Sequence, residues 1–208
     1  MPLRPRLLIA TNNPGKLEEL TELLAGSPYA PVSLADLGIG EEVAETGATF
    51  EENATLKAKS YARMGATLTL ADDSGLEVAA LGGEPGVRSA RYAGEGANDS
   101  QRIAYLLDKL DNVDEADRSA RFRCVIALAS PGGEARLYCG ECRGRILRSP
   151  RGGNGFGYDP VFLHESLGKT MAELTQKEKD SVSHRSVAVR KAVIALRQMA
   201  SKSGPNPS

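Results

Sequence analysis

Along the chain, short apolar runs alternate with stretches whose apolar residues recur at helical spacing. Arg6 to Thr11 (RLLIAT) has the unbroken apolar character of a buried strand. Asn12-Asn13-Pro14-Gly15-Lys16 follows, and then Leu17, Leu20 and Leu24 at helical spacing. Asn before Pro suits a helix start, because Asn caps free N–H groups and Pro fits the first helical position. A second helix is predicted over Phe50 to Met64, with Thr49 and Glu52 at capping-box spacing ahead of it. Thr67 to Ala71 reads as a strand closed by Asp72-Asp73-Ser74-Gly75, with glycine-rich turns following through Gly96. Ser100 to Leu110 predicts a helix with Ile103, Leu106, Leu107 and Leu110 inward.

From Ala120 to Ala129 the period changes to two: Phe122, Cys124, Ile126 and Leu128 share one face, and Arg121 and Arg123 point the other way. Further strands are expected over Glu134 to Ile146 and Tyr158 to Leu163. Thr170 and Glu173 again have capping-box spacing, and a last helix holds Val189, Val193 and Leu196 on one side. Strands and helices interleave, so the chain is an α/β or α+β protein with a mixed sheet. No internal repeat or linker divides it. One domain is expected over 1–200, followed by a disordered Ser-, Pro- and Gly-rich tail over 201–208.

Composition narrows the partners. With 26 basic and 27 acidic residues, the net charge of -1 argues against a long nucleic-acid track. A few placed cations can still serve a phosphate chain. No apolar run is long enough to span a bilayer, and Leu7 to Ala10 is too short for a secretory core, so a cytoplasmic protein is expected. Cys139 and Cys142 form a CxxC, but within an alternating run instead of at a helix start, and neither His lies near enough in sequence to complete a zinc site. Reduced, structural thiols are expected.

Several places carry possible chemistry. The strand–loop–helix at Ile9 to Leu24 offers a helix N-terminus and Lys16 to an anion, although GxxxxGK[ST] is absent and a plain capped helix is the alternative. Glu45 precedes a helix on which Asn53 and Lys57 share a face, as any solvated polar pair would. Adjacent Asp72 and Asp73 repel each other and are stabilised by a divalent cation or by basic neighbours; oxygen ligands with few His or Cys favour magnesium over zinc. A simple turn is the alternative there. Gly152 to Pro160 (GGNGFGYDP) lacks dinucleotide spacing, yet its glycines would let backbone approach a planar ligand on which an aromatic ring stacks. Lys179, Ser183, His184 and Arg185, placed at the start of the final helix, can grip phosphate or read a base carbonyl, or form only a basic patch.

Taken in order, Thr11 to Lys16, Glu45-Thr46-Gly47, Asn53 to Ala58, Ala71 to Leu76, Gly86 to Tyr92, Gly155 to Pro160 and Ser183-His184-Arg185 closely resemble the inosine triphosphatase, or Ham1-like, family of non-canonical purine nucleoside triphosphate pyrophosphatases. The likeness runs from about Leu7 to Leu196, and the CxxC is not part of it. It implies an elongated mixed sheet with flanking helices, two lobes around a central cleft, a homodimer, magnesium dependence, and cleavage of ITP, dITP and XTP to monophosphate and pyrophosphate. By position, the resemblance assigns Thr11, Asn12, Asn13, Pro14, Gly15 and Lys16 to the phosphates. It assigns Glu45 and Asp73 to the metal, with Asp73 the general base. Ser74, Phe156, Gly157, Tyr158, Asp159, Lys179, His184 and Arg185 would contact the substrate, and Lys57 would join Lys16 in stabilising leaving-group charge. Donors from His184, Arg185 or nearby backbone N–H groups would donate to the 6-keto oxygen of hypoxanthine and xanthine and oppose the amino group of adenine. Rivals are a pyrophosphatase for modified pyrimidine nucleotides and a nucleotide-sensing module that binds without turnover.

Overall fold

The computed structural model describes residues 4–202. Its sheet has seven strands in the order β2-β1-β3-β4-β5-β6-β7. These are β1 (Arg6–Ala10), β2 (Ala30–Ser33), β3 (Thr69–Val78), β4 (Ser119–Ala129), β5 (Arg136–Ile146), β6 (Phe162–His164) and β7 (Lys169–Thr170). Strand β1 pairs parallel with β2 and β3, while β6 pairs antiparallel with β5 and β7, so the sheet is mixed, as the sequence predicts. The helices are α1 (Pro14–Leu23), α2 (Phe50–Met64), α3 (Asp99–Lys109), α4 (Gln176–Val182) and α5 (His184–Lys202).

The chain groups into two compact units. The first comprises Met1–Asp73, Val125–Cys139 and Ser186–Ser208; the second comprises Ser74–Cys124 and Gly140–Arg185. In the first, Leu7, Leu8 and Ile9 of β1 are fully buried, with Leu20 and Leu24 at α1 and Ala54 and Ala58 of α2. In the second, Ile103, Leu106 and Leu110 close over Leu76 and Val78 of β3, Phe122 of β4 and Phe162 of β6. Fully buried Arg118 lies in this unit and donates to the carbonyls of Leu110, Ile146 and Leu147, joining the end of α3 to the end of β5.

Local signals set most boundaries. Asn13 caps α1 with Pro14 in its first turn, and Thr49 and Glu52 form a reciprocal capping box for α2. Four expectations need correction. Asp72 to Gly75 lies inside β3, because burial and lysine partners hold these residues extended. Asp159–Val161 is a 3-10 turn, leaving a strand of only Phe162–His164. Glu173 does accept the Thr170 N–H at 2.7 Å, but the Glu173 N–H donates to the Thr170 carbonyl at 3.0 Å and not to its hydroxyl, which donates to the Arg151 carbonyl; the box that starts a helix is Thr175 with Glu178. The final helical stretch is two helices broken at Ser183, which is extended, so Lys179 belongs to α4. The last helix reaches Lys202, into the expected tail; 203–208 lies outside the described residues.

Candidate functional site

The first unit gathers acids and lysines. Successive side chains of a strand face opposite ways, so neighbouring Asp72 and Asp73 meet different cations. Lys16 Nζ lies 3.1 Å from Asp72 Oδ1, and Lys57 Nζ lies 2.5 Å from Glu45 Oε1 and 3.5 Å from Asp73 Oδ1. The Asp72 side chain is 0% exposed and that of Asp73 7%, so neither could stay charged without such partners. Burial is the strongest influence on Asp73 and raises its pKa above the ordinary carboxylate value, against the pull of Lys57 and Lys16. Burial alone would lower Lys57, but the fields of Asp73, Asp72 and Glu45 together raise it.

At the start of α1, the Asn13 carboxamide accepts the Lys16 N–H at 3.0 Å, and Thr11 Oγ1 accepts the Asn13 N–H at 3.2 Å. Asn12 and Pro14 are exposed, while Thr11, Gly15 and Lys16 are half-buried. The helix N-terminus and Lys16 thus present positive potential on one short segment. The loop carrying Glu45 is fastened to α2: Gly47 N–H donates to Asn53 Oδ1 at 2.7 Å, and Val43 N–H donates to the Tyr61 hydroxyl at 3.2 Å.

A cation fits the acids in a restricted way. Among the described residues no group of three or more His, Cys, Asp or Glu side chains is arranged to hold a metal ion. The buried Asp73 Oδ2, however, has no hydrogen-bond partner among the described residues, and Glu45 approaches the same lysine. Two carboxylates such as Glu45 and Asp73 can hold a hard divalent cation that completes its shell with water and ligand oxygens.

The second unit gathers an aromatic ring and cations. Phe156 sits under Lys179 Nζ at 5.3 Å from the ring centre and under the Arg185 guanidinium at 5.5 Å. Arg185 also donates to the Ser74 hydroxyl at 3.0 Å, and Lys179 meets Asp159 Oδ2 at 2.7 Å. The His184 ring stacks on Phe122 with centres 4.9 Å apart. Glycine is required in this loop. Gly155 has φ 75°, and a Cβ there would fall on the Asp159 carboxylate and 2.9 Å from Lys179 Nζ. Gly75 is equally constrained, since a Cβ would lie 2.6 Å from the Gly86 carbonyl and against the Ser89 hydroxyl, which accepts the Leu76 N–H.

The loop's other residues are held from within the unit. Tyr158 is a core residue, its hydroxyl donating to the Ser89 carbonyl at 3.0 Å. The N–H groups of Phe156 and Gly157 donate to Asp159 (3.2 Å) and Asp99 (2.7 Å). Sequence reasoning missed Asp99. Its signal was the Asn98–Gln101 capping box, which puts Asp99 in the first turn of α3. Cys139 and Cys142 are free thiols on β5, and burial pushes Cys142 up to about 11, as suits an inert residue.

The Ham1 family model matches residues 7–195. The chain belongs to the Ham1 family. A dITP/XTP pyrophosphatase of Geobacter sulfurreducens is 52% identical over 88% of this chain and 92% of its own length. One from Bacillus subtilis is 48% identical over 88% of this chain and 93% of its own. Among solved structures, the Ham1 protein of Coxiella burnetii superposes with a TM-score of 0.86 at 41% identity, covering 93% of this chain and 99% of that one. The Staphylococcus aureus Ham1 protein gives 0.83 at 42% identity over the same shares. The ordered motifs therefore carried a true family signal, and the open mixed sheet is a Ham1 sheet.

Proposed function

We propose that this Ham1 protein hydrolyses ITP, dITP and XTP to the nucleoside monophosphate and pyrophosphate, with Asp73 as general base. The observation that carries the reading is Asp73 itself: a buried carboxylate with one oxygen facing Lys57, one oxygen without a hydrogen-bond partner among the described residues, and a raised pKa. A carboxylate so placed is suited to take a proton from water as that water attacks the phosphorus nearest the nucleoside. The new P–O bond replaces the bond to the bridging oxygen, whose electrons leave with pyrophosphate. Lys16, the α1 N-terminus and Lys57 offset the charge that grows on that leaving group.

Magnesium held by Glu45 and Asp73 would supply further positive charge at the phosphate oxygens. Phe156, Lys179, His184 and Arg185 act on the base: the aromatic ring stacks, and His184 and Arg185 donate toward the 6-keto oxygen. The same reading includes a cytoplasmic homodimer with neither nucleic acid nor membrane as partner; among the described residues no helix is long and apolar enough to cross a membrane. Sedimentation equilibrium checks the dimer.

Hydrolysis of ITP in 18O-labelled water tests the bond assignment. Label in the monophosphate, with unlabelled pyrophosphate, is expected. Label in pyrophosphate, or free phosphate as product, overturns it. The rival sensing reading predicts ITP binding with no product at all.

A further inference from the structure

Three consecutive residues of the glycine-rich loop are each tied to a different group. Phe156 N–H donates to Asp159, and the Tyr158 hydroxyl donates to the Ser89 carbonyl. Between them, Gly157 N–H donates to Asp99 Oδ2 at 2.7 Å across 58 residues of chain. Gly157 has φ 64°, and a Cβ built on it would meet nothing within 4 Å. Among the described residues nothing crowds that position, and its amide is tied by the hydrogen bond to Asp99.

Asp99 is built for this contact. It is not needed to start α3, because Asn98 and Gln101 already form the capping box. Its other oxygen is held by Arg102, which also donates to the carbonyls of Ala90 (3.0 Å) and Ala97. The carboxylate is thus oriented by a guanidinium that is itself anchored to backbone. A charged acceptor held this way makes a stronger bond to an amide than a neutral one.

We infer that Asp99 is a positioning residue that sets the Phe156–Gly157 segment, and through it the affinity and selectivity for the base. The inference rests on the reading of this loop as base-binding. It gives the α3 N-terminus a role in specificity without contact to the nucleotide.

The test is steady-state kinetics of Asp99→Ala and Asp99→Asn with hydrogen exchange at the Gly157 amide. Asp99→Ala should raise KM for ITP about tenfold, the usual effect of losing a hydrogen bond to a charged group. Turnover should stay within about twofold, because Asp99 lies outside the acid–lysine cluster. The preference for ITP over ATP should narrow. Asp99→Asn keeps an acceptor oxygen and should recover most of the affinity. A folded Asp99→Ala protein with unchanged KM, or a loss confined to kcat, overturns the inference, as does Asp99→Asn behaving no better than alanine.

Exchange in the unsubstituted protein gives a readout that needs neither variant nor substrate. The Gly157 amide should be protected relative to that of exposed Gly153, and fast exchange at Gly157 overturns the proposal even if Asp99→Ala fails to fold. Absence of ITP hydrolysis in the wild type would instead remove the functional reading, with Gly157 protection still measurable.

Discussion

The two clusters solve opposite problems. In the first unit, buried carboxylates are paired with lysines: Asp72 with Lys16, and Asp73 with Lys57, which also meets Glu45. In the second, cations are gathered on an aromatic ring, Lys179 and Arg185 over Phe156, with Asp159 and Ser74 as their polar partners. The acid cluster stands on the interior of β3 and the face of α2, both rigid elements. The aromatic cluster stands partly on a loop whose conformation depends on left-handed glycines and on borrowed carboxylates. Chemistry on a triphosphate needs fixed charges, and recognition of one base among several needs a shaped surface. Changes in the first cluster should therefore strike turnover, and changes in the second should strike KM and selectivity.

The largest expected effect is Asp73→Asn. Turnover on ITP should fall by roughly 10²–10⁴-fold, the ordinary worth of a general base, while circular dichroism shows an intact fold. A folded, active variant removes Asp73 from the mechanism and blurs the contrast. Phe156→Ala comes next: KM for ITP should rise about 10- to 100-fold from lost stacking, with kcat nearly kept. A variant that loses kcat instead would place the ring with the reacting groups.

A smaller effect concerns α4, which carries Lys179. Glu178 is lowered from 4.5 to about 2, chiefly by the Lys169 ammonium and then by its bonds to Thr175. A depressed carboxylate stabilises the fold above its unfolded pKa, and that contribution is lost as pH falls through the folded value. Glu178→Gln should therefore lower the melting temperature slightly at neutral pH and flatten its decline between pH 4.5 and about 2. An unchanged acid profile would show the helix does not depend on this pair. The smallest effect is none: Cys139→Ser with Cys142→Ser should keep full activity under reducing and oxidising conditions, since a loss on oxidation would give the CxxC a role.

Much of this was legible in the sequence where local signals are strong. Thr49 and Glu52 fixed the start of α2, and the apolar run of β1 needed no context. The acid cluster could be located by its residues, because paired carboxylates demand cations wherever they are buried. Other features were less legible. Turn residues dominate Asp72 to Gly75, yet the segment runs on within β3, and Lys16, Lys57 and Ser89, which contact it, lie far off in sequence. Tyr158 packs in the core with its hydroxyl donating to the Ser89 carbonyl, a partner far off in sequence. Thr170–Glu173 and Thr175–Glu178 share one spacing, but the Glu173 N–H goes to the Thr170 carbonyl in a turn, whereas the Glu178 N–H goes to the Thr175 hydroxyl and starts a helix. Hydrogen bonds made these differences, and spacing cannot show them.

The most direct test is to give the purified protein magnesium and ITP, XTP, dITP, GTP or ATP, and to quantify pyrophosphate and phosphate together. The account predicts pyrophosphate from ITP, dITP and XTP, with little from ATP or GTP. Equal turnover of all five, or turnover only of modified pyrimidine triphosphates added to the panel, would contradict it.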